Sequence, residues 1–506
     1  MEEKLKNRII VDKKNYIVAI DIGSSAIKIA VGSIAPSGAM HIECIVSEPC
    51  QEMEAGLVNN INLVGVALRK ALKAAEKLAG IAITDAYVSV SGKFMRCARY
   101  TDHVFVTDSD NCISQQDVRS LHDRMRNVKA TDNEIIMDLF PNCSKSEMAV
   151  QMKNPVGSYS KQLNATYNFI LCEKQAKDRF QRLFLDAGVK IQEMFAGASI
   201  ISESVVTAEE KEEGVAVVDI GSGVTDLAIY RGGALCYMVS IPIGGDSINS
   251  DIHHYSGQIP LSSIEGLKKE YGSAMVSLAS NVTINIQKGT RTIATIQSLN
   301  LAAIIEARLT DIVEYVWNEI REANYAKKIP AGIVLTGGVA NVKNIAELFQ
   351  RITGVETRVA CAELGLTTES LEEATSPERT MVVSLLMRGA QKGATPVGIL
   401  QTPQEEMPSK EVTPAKVEVT KPQEQAPEQP KTLNDKLGSK ENNAKVENTT
   451  PLNNGDDGEE DDDIDVEETV APKRSLWGRL THRLKSSFDK AFQNPDEDYD
   501  DDNDEY

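Results

Sequence analysis

The 506-residue sequence contains no C-x-x-C pair, and its eight cysteines are scattered without histidines at metal-ligand spacing. This pattern predicts reduced thiols in a cytosolic protein rather than a disulfide or zinc framework. The sequence also lacks an apolar run of the roughly 18 residues that a spanning helix needs. Its start, MEEKLKNRII, has no long apolar core and no small-residue cleavage site, so secretion is not expected. Any contact with a membrane would therefore be made from its surface.

Acidic charge is concentrated in two places. The formal net charge is −20, and ten acidic residues lie between Asp456 and Glu468 and eight between Asp496 and Glu505. The rest of the chain is close to neutral, and no nucleic-acid partner is expected. The length allows two to four domains with a sizeable core.

One stretch of sequence occurs twice. Residues 17–32 read IVAIDIGSSAIKIAVG, and residues 215–233 read VAVVDIGSGVTDLAIYRGG. Each copy reads as a buried strand, an acidic residue, a small-residue turn and a second strand. Such a turn leaves backbone N–H groups free to face an anion, and a carboxylate before it suits hydrated Mg2+. Either copy alone is compatible with an ordinary hairpin, but together they predict two related halves facing each other across a nucleotide.

Four short motifs supply the candidate site residues. The first turn contributes Asp21, Gly23, Ser24 and Ser25, with Lys28 on the following strand as a point charge for phosphate. The second contributes Asp219, Gly221, Ser222, Gly223 and Thr225. Glu265 and Lys268 share a helix face, where a surface ion pair is the alternative. Gly337 and Gly338 follow an apolar strand and would admit a flat ligand, unless they form a simple strand-to-helix turn.

Hydrophobic periodicity predicts several helices. These include residues 62–78, 115–128, 173–187, 199–210, 342–351 and 381–390. The stretch from 86 to about 172 is rich in strands, contains one helix and looks like an inserted α+β subdomain.

The C-terminal region combines three kinds of sequence. Residues 392–472 are rich in Pro, Gln, Glu, Lys, Thr and Asn and are predicted to be a disordered acidic linker. Residues 473–492 form an amphipathic helical pattern, followed by an acidic tail, 493–506. Its apolar side chains are Leu476, Trp477, Leu480, Leu484, Phe488 and Phe492, and its basic ones include Arg474, Arg479, Arg483 and Lys485. This composition predicts an in-plane helix on an anionic membrane; docking on another protein is the alternative.

The order of these motifs resembles the actin/sugar-kinase/DnaK superfamily and, within it, the FtsA family of bacterial cell-division proteins. The closer resemblance covers about 16–390 and 473–492. It is carried by SVSGK (89–93), KNPVG (153–157), FAG (195–197), IPIGGD (241–246), AGIVLTGG (331–338) and the terminal helix. It implies an α/β protein of actin-like fold, with two duplicated ribonuclease-H-like halves around a nucleotide cleft. It further implies an inserted small α+β subdomain and a disordered C-terminal tail that ends in the amphipathic helix.

The resemblance also implies a division into domains. The first actin-like core would comprise 16–86 and 170–207, interrupted by the FtsA-type subdomain 86–170. The second core would comprise 214–248 and 331–390. An outer subdomain, 248–330, would contact adenosine and the partner protein.

By the same resemblance, the two turns would hold the phosphates of ATP, and Asp21 and Asp219 would hold Mg2+ through water. Glu265 and Lys268 would contact ribose and adenine, with Gly337 and Gly338 under the adenosine. Efficient filament ATPases carry a water-positioning Glu in the segment that matches residues 197–201, which here read GASII. We therefore expect ATP binding with slow or absent hydrolysis.

The function implied is polymerisation on the inner face of the cytoplasmic membrane at the division site. There the protein would tether FtsZ filaments through the FtsZ C-terminal peptide and help assemble the septal ring. Its partners would be FtsZ, further copies of itself and the anionic membrane surface, with later division proteins as further candidates. The alternatives are a sugar- or acetate-type kinase, a chaperone, and a pilus-assembly ATPase of the same fold. None of these needs a membrane helix after a long linker.

Overall fold

The computed structural model of the protein describes residues 15–148, 151–152, 154–256, 259–288, 291–393 and 397–399. The predicted linker beyond residue 399, the amphipathic helix 473–492 and the acidic tail lie outside the described residues. So do all the side chains predicted to contact a membrane.

The strands are numbered in chain order. They are β1 (Tyr16–Ile22), β2 (Ala26–Ile34), β3 (Met40–Pro49), β4 (Met53–Glu54), β5 (Leu57–Val58), β6 (Ile81–Ile83), β7 (Asp85–Val90), β8 (Met95–Phe105), β9 (Glu134–Ser146), β10 (Gln151–Met152), β11 (Gln162–Glu173), β12 (Lys190–Ala196), β13 (Val215–Ile220), β14 (Thr225–Arg231), β15 (Ala234–Ile241), β16 (Thr283–Lys288), β17 (Arg291–Gln297), β18 (Ile333–Thr336), β19 (Thr357–Val359) and β20 (Val397–Ile399).

The helices are numbered in the same way. They are α1 (Ile61–Ala79), α2 (Gln115–Arg126), α3 (Lys174–Asp186), α4 (Gly197–Ile200), α5 (Ala208–Glu213), α6 (Gly245–Ser256), α7 (Leu261–Tyr271), α8 (Ser298–Glu322), α9 (Ile345–Thr353), α10 (Leu371–Ala374) and α11 (Thr380–Lys392). No helix in the described part of the chain combines the length and the apolar character needed to cross a membrane.

Two five-stranded sheets repeat one topology. The first has the order β12-β7-β1-β2-β3 and the second β19-β18-β13-β14-β15. In each, three consecutive strands are antiparallel, and two later strands add in parallel beside the first of them. The central strands β1 and β13 are buried almost throughout because both faces of each sheet are covered. The repeated sequence therefore forms the centre of two equivalent sheets.

Different helices pack against the two sheets. On the first sheet, α1 packs against β2 and β3, while α11 packs against β1 and β2. Around the second, α6, α7, α8 and the β16–β17 hairpin lie between β15 and β18 in the chain. Residues of α8 such as Leu301 and Ile305 share a buried cluster with Val218 and Leu335 of the second sheet.

The strand-rich segment between β7 and α3 forms a separate sheet of order β10-β9-β11-β8. Its one helix, α2, begins at Ser114, whose side chain and that of Asp117 form a reciprocal capping box. Asn168 of β11 anchors this sheet to β15, because its amide donates to the carbonyls of Leu235 at 2.9 Å and Cys236 at 3.0 Å.

Two helix predictions were wrong in detail. The helix expected over 199–210 is broken into α4, a 3-10 turn (Ile201–Ser204) and α5. Thr207 starts a new helix there, since its hydroxyl and the Glu210 carboxylate form a capping box. The helix expected from 342 begins only at Ile345, after a 3-10 turn over Gly338–Asn341. Side-chain capping and left-handed Asn344 override periodicity at these positions.

Candidate nucleotide site

The two repeated hairpins turn in the same way. The N–H of Gly23 donates to the carbonyl of Ala26 at 3.2 Å, and the N–H of Gly221 donates to that of Val224 at 2.9 Å. A Cβ atom added to Gly223 would lie 2.6 Å from Ser24 Oγ, so the tips of the two turns meet. The structure thus places the two predicted phosphate loops face to face.

A row of polar side chains crosses the first sheet just before its turn. In the strand register, Asp21 lies between Ser89 of β7 and Lys28 of β2. Ser89 Oγ donates to Asp21 Oδ1 at 2.8 Å, and Lys28 Nζ lies 3.8 Å from Asp21 Oδ2. The predicted position of Lys28, pointing back toward the turn, agrees with this register.

The equivalent row in the second sheet carries a different charge. Asp219 lies between Thr336 of β18 and Asp226 of β14, and Asp226 pairs in turn with Ser240 of β15. Ser240 Oγ donates to Asp226 Oδ1 at 2.5 Å. Asp226 therefore occupies the position that Lys28 has in the first sheet, so the duplicated halves differ by two charges at this point.

One cavity joins both rows. The predicted residues that line it are Asp21, Gly23, Ser24, Ser25, Lys28, Asp219, Gly221, Ser222, Gly223, Gly337 and Gly338. Its volume is about 80 Å3, which is small beside the roughly 300–1,000 Å3 of ligand pockets.

Three carboxylates in this cleft have raised pKa values. Burial, then repulsion from Asp226 and Asp21, raises the pKa of Asp219 to about 7. Burial raises the pKa of Asp226 to about 6, although hydrogen bonds from Ser240 and Ser91 lower it in part. Burial also raises the pKa of Asp21, although Lys28 and Ser89 oppose the shift. One lysine faces three acids, so ionisation of all three would leave negative charge in the site that Lys28 cannot balance.

This donor set fits a hydrated divalent cation. Within the described ranges, no group of three or more His, Cys, Asp or Glu side chains is arranged to hold a metal by itself. Mg2+ usually keeps several waters and binds through one or two carboxylates together with substrate phosphates. Asp21 and Asp219 could hold such an ion through water, which would offset the repulsion between the carboxylates.

Glu265 and Lys268 lie together beside the second turn rather than in the cavity. Lys268 Nζ is 2.7 Å from Glu265 Oε2, and Asn249 links the pair through a bond from Lys268 at 2.9 Å. The Lys268 side chain is only 6% exposed, so the pair is more than a solvated surface contact. Gly245 lies between the Glu265–Lys268 pair and the second turn, since its N–H donates to the Gly221 carbonyl at 2.9 Å.

Thr225 also lies away from the cavity lining. Its hydroxyl donates to the carbonyl of Ile243 at 2.8 Å, and its side chain is fully buried. This bond fixes β14 to the segment that follows β15. The structure thus places Thr225 behind the second turn.

Gly337 is needed for packing as well as for turning the chain. Its φ is +89°, and an added Cβ would overlap Asp219 Oδ1 and lie 2.6 Å from the carbonyl of Ile220. A Cβ added to Gly338 would meet open space, with Glu378 Cβ as its neighbour at 4.0 Å. Of the two glycines, Gly338 is the one that leaves room for a ligand.

Several cavity residues were not among the sequence predictions. They are Ile22, Gly56, Ser91, Val224, Asp226, Pro377, Glu378 and Met381. Asp226 could have been found, because it closes the second motif at the position of Lys28. Ser91 stands in the SVSGK string, whereas Pro377, Glu378 and Met381 carry no local signal and reach the cleft through tertiary folding.

The segment matching the expected water-positioning residue lies close to Asp226. Residues 197–200 form the buried helix α4, and Ser199 Oγ donates to the carbonyl of Ala196 at 2.7 Å. A Cβ added to Gly197 would lie 3.3 Å from Asp226 Oδ2. A carboxylate is therefore present beside this segment, although the segment itself supplies none.

Comparison with known proteins agrees with this geometry. The family model described as "Cell division protein FtsA" matches residues 216–384. The chain is 29% identical over 385 residues to the cell division protein FtsA of Escherichia coli K12, covering 74% of this chain and 90% of that protein. The corresponding FtsA of Pseudomonas aeruginosa is 28% identical over 386 residues, covering 76% and 91%.

The chain is therefore similar to FtsA proteins over about three quarters of its length. The resemblance to FtsA identified from the sequence motifs is thereby confirmed. The FtsA of Neisseria meningitidis is a further relative, 28% identical over 354 residues, covering 69% of this chain and 85% of that protein.

A solved structure supports the fold. The PilM-PilN type IV pilus biogenesis complex matches with a TM-score of 0.52 at 15% identity, covering 74% of this chain and 98% of that chain. At this identity the likeness concerns the fold alone. The predicted α/β, actin-like class is confirmed, and the FtsA relatives do not favour the kinase or pilus-assembly alternatives.

Proposed function

We propose that this chain is an FtsA-type protein that binds Mg2+ and ATP between its two sheets, polymerises on the inner face of the cytoplasmic membrane and tethers FtsZ filaments there. The observation that carries the nucleotide part is the meeting of two equivalent turns over a row of acids, at Gly223 and Ser24. Similarity to FtsA proteins supports the cell-division role.

In this proposal the turns bind phosphate through their free N–H groups, and Lys28 adds one positive charge. Mg2+ would supply the remaining neutralisation near Asp21 and Asp219. The Glu265–Lys268 pair and Gly338 would contact the adenosine. The cavity between the turns is small, about 80 Å3, and we propose that bound ATP holds the turns apart and so changes the angle between the sheets.

Hydrolysis is proposed to be slow or absent. Residues 197–201 offer no acid or amide, and one oxygen of the neighbouring Asp226 already accepts a bond from Ser240 at 2.5 Å. Positioning of the attacking water is a separate requirement of phosphoryl transfer. We expect phosphate release well below the roughly 1 s−1 at the lower end of ordinary enzyme turnover. Release at ordinary enzyme rates, stimulated by a sugar or acetate acceptor, would contradict this proposal and favour a kinase.

Membrane attachment is proposed to reside in the amphipathic helix 473–492. Its apolar and basic side chains suit an anionic bilayer. FtsZ is proposed to bind through its C-terminal peptide within 248–330, and later division proteins are further candidate partners. The acidic runs are proposed to weaken a single anchor until several copies bind together along a filament.

Sedimentation with liposomes tests the proposal. The intact chain should sediment with vesicles containing anionic lipid, more strongly with Mg·ATP, and should then retain FtsZ filaments. Trp477→Glu should abolish vesicle binding, whereas the matched variant Trp477→Phe should keep it, because only the first places a charge in the apolar face. Equal binding by Trp477→Glu and the intact chain would refute the tether.

A further inference from the structure

The outer face of α1 is basic, although the chain as a whole is strongly acidic. Six exposed side chains form it, and we call them the α1 face: Leu63, Val66, Arg69, Lys70, Lys73 and Lys77. At 100° per residue they fall within an arc of about 120°. The opposite arc of α1 is buried against β2, β3 and α3 and includes Leu68, Ala71 and Leu72.

The cations of the α1 face have little compensation. Among the described residues, Lys70 alone of the four has a carboxylate partner, Glu48 at 3.5 Å. The one acid of α1, Glu76, turns away, because its carboxylate accepts the N–H of Ile83 at 2.9 Å. The face therefore presents a net local positive charge, which Glu48 offsets only in part.

Apolar side chains accompany these cations. Leu63 is 50% exposed and Val66 is 44% exposed, and both lie on the N-terminal half of the α1 face. Asn60 fixes this end, since its side chain accepts the N–H groups of Asn62 and Leu63. Large apolar side chains beside long basic ones are typical of helices that lie in a membrane interface, where lysine stems bury and the ammonium groups reach the headgroups.

We propose that the α1 face is a second membrane contact, which lays the folded body of the protein on anionic lipid. Charge complementarity favours this occupant, because four cations lie along about 12 Å of the helix, from Arg69 to Lys77, and only Lys70 has an acid beside it. The face is also the convex exterior of a packed helix, which suits a deformable lipid surface better than a peptide needing a groove. This inference rests on the proposed membrane attachment, but it assigns a contact that does not involve the terminal helix.

The contact would orient the protein as well as strengthen its binding. The proposed terminal anchor is separated in sequence from the folded body by about 80 residues and does not itself define how the body faces the membrane. A face on α1, which is packed on the first sheet, would fix that sheet relative to the membrane. The α1 contact should weaken at high ionic strength, because exposed charges are screened.

Charge-reversal variants of the full chain test the contact. Lys73→Glu/Lys77→Glu reverses two of the three cations for which the described residues offer no carboxylate partner. Lys129→Glu/Lys161→Glu makes the same change in net charge at exposed positions elsewhere. Each neutralised cation should cost about fivefold in partition onto anionic vesicles. We expect the α1 variant to lose at least about tenfold and the control variant less than about threefold. Equal losses in both would overturn the proposal.

Lysine acetylation followed by mass spectrometry gives a second readout on the unmodified chain. Vesicles of phosphatidylglycerol and phosphatidylcholine should reduce the reactivity of Lys73 and Lys77 several-fold, while Lys129 and Lys161 stay unchanged. Pure phosphatidylcholine should have no effect. Unchanged reactivity of Lys73 and Lys77 on bound vesicles would overturn the α1 contact even if the terminal helix anchors the chain.

Two further arms separate the remaining outcomes. If Trp477→Glu abolishes vesicle binding while the α1 lysines of the intact chain are protected, both contacts stand. If it leaves binding unchanged and the α1 lysines protected, the proposed terminal anchor fails and the α1 contact stands. Protection by a synthetic peptide of residues 456–468, with none by vesicles, would make the face a site for acidic peptide and refute the lipid contact.

Discussion

Replacing Asp219 by asparagine should stabilise the nucleotide-free protein, and increasingly so as the pH rises. Burial and two neighbouring acids raise the pKa of Asp219 to about 7. A group whose pKa is raised on folding stabilises fully below its unfolded pKa, near 4, and loses that contribution as the pH rises through 7. An asparagine side chain has the shape of the protonated acid and cannot ionise.

The size of the effect follows from the shift. About three pKa units at roughly 1.4 kcal/mol each set an upper limit near 4 kcal/mol at neutral pH. At pH 5 the same relation gives about 2 kcal/mol, because the unfolded carboxylate is already ionised there. Asp219 is only partly buried and shares the shift with Asp226, so the measured gains should be about half of these limits. We expect about 1 kcal/mol at pH 5 and about 2 kcal/mol at pH 7.5.

Urea unfolding of both proteins at pH 5 and 7.5, without nucleotide and with EDTA, measures this difference. Asp178→Asn serves as the control, since Asp178 is an exposed carboxylate of α3. It should change the free energy of unfolding by less than about 0.5 kcal/mol at both pH values. A destabilised Asp219→Asn protein, or a gain that shrinks with rising pH, would refute the electrostatic account of the cleft.

Three further expectations concern metal, backbone and core. Mg·ATP should raise the melting temperature more than ATP with EDTA, since the dication offsets the repulsion between Asp21 and Asp219; equal shifts would contradict a metal at this site. Gly337→Ala should lower the free energy of unfolding in urea by more than about 3 kcal/mol, because the added Cβ would overlap Asp219. Gly38→Ala, also at positive φ but in open space, should lower it by about 1 kcal/mol. Equal losses would show that the backbone relaxes and removes the overlap at Gly337. Arg308→Ala should lower the free energy of unfolding by about 3–5 kcal/mol, because Arg308 is 5% exposed and its guanidinium binds Asp251 at 2.6 and 3.0 Å. A loss under about 1 kcal/mol would mean that water can replace the guanidinium beside Asp251.

The two hairpins could be predicted because their signals are local. Alternating buried residues, an acid and a small-residue turn specify each strand–turn–strand unit without reference to the rest of the chain. The placement of Lys28 opposite Asp21 follows from the same local register. Helix α1 was equally accessible, since its buried residues recur with helical period.

Contacts made by tertiary folding could not be predicted in this way. Glu378 and Met381 reach the cleft from a segment more than 150 residues after the second turn. The break at 201–207 depends on the Thr207 capping box, which competes with helical periodicity. Asp226 was visible in the motif, but its importance depends on Ser240 of β15, which the register places beside it.

The difference between Lys28 and Asp226 suggests why a nucleotide would control this protein. If both positions were lysine, each half would balance its own aspartate. Because the second half carries Asp226 instead, the cleft has three acids and one cation, and entering cations would offset the repulsion between the ionised carboxylates. Mg2+ accompanying ATP can do so while its phosphates occupy the space between Ser24 and Gly223. Ligand binding and separation of the two sheets would then be one event, which is the coupling that nucleotide-dependent assembly on a membrane requires.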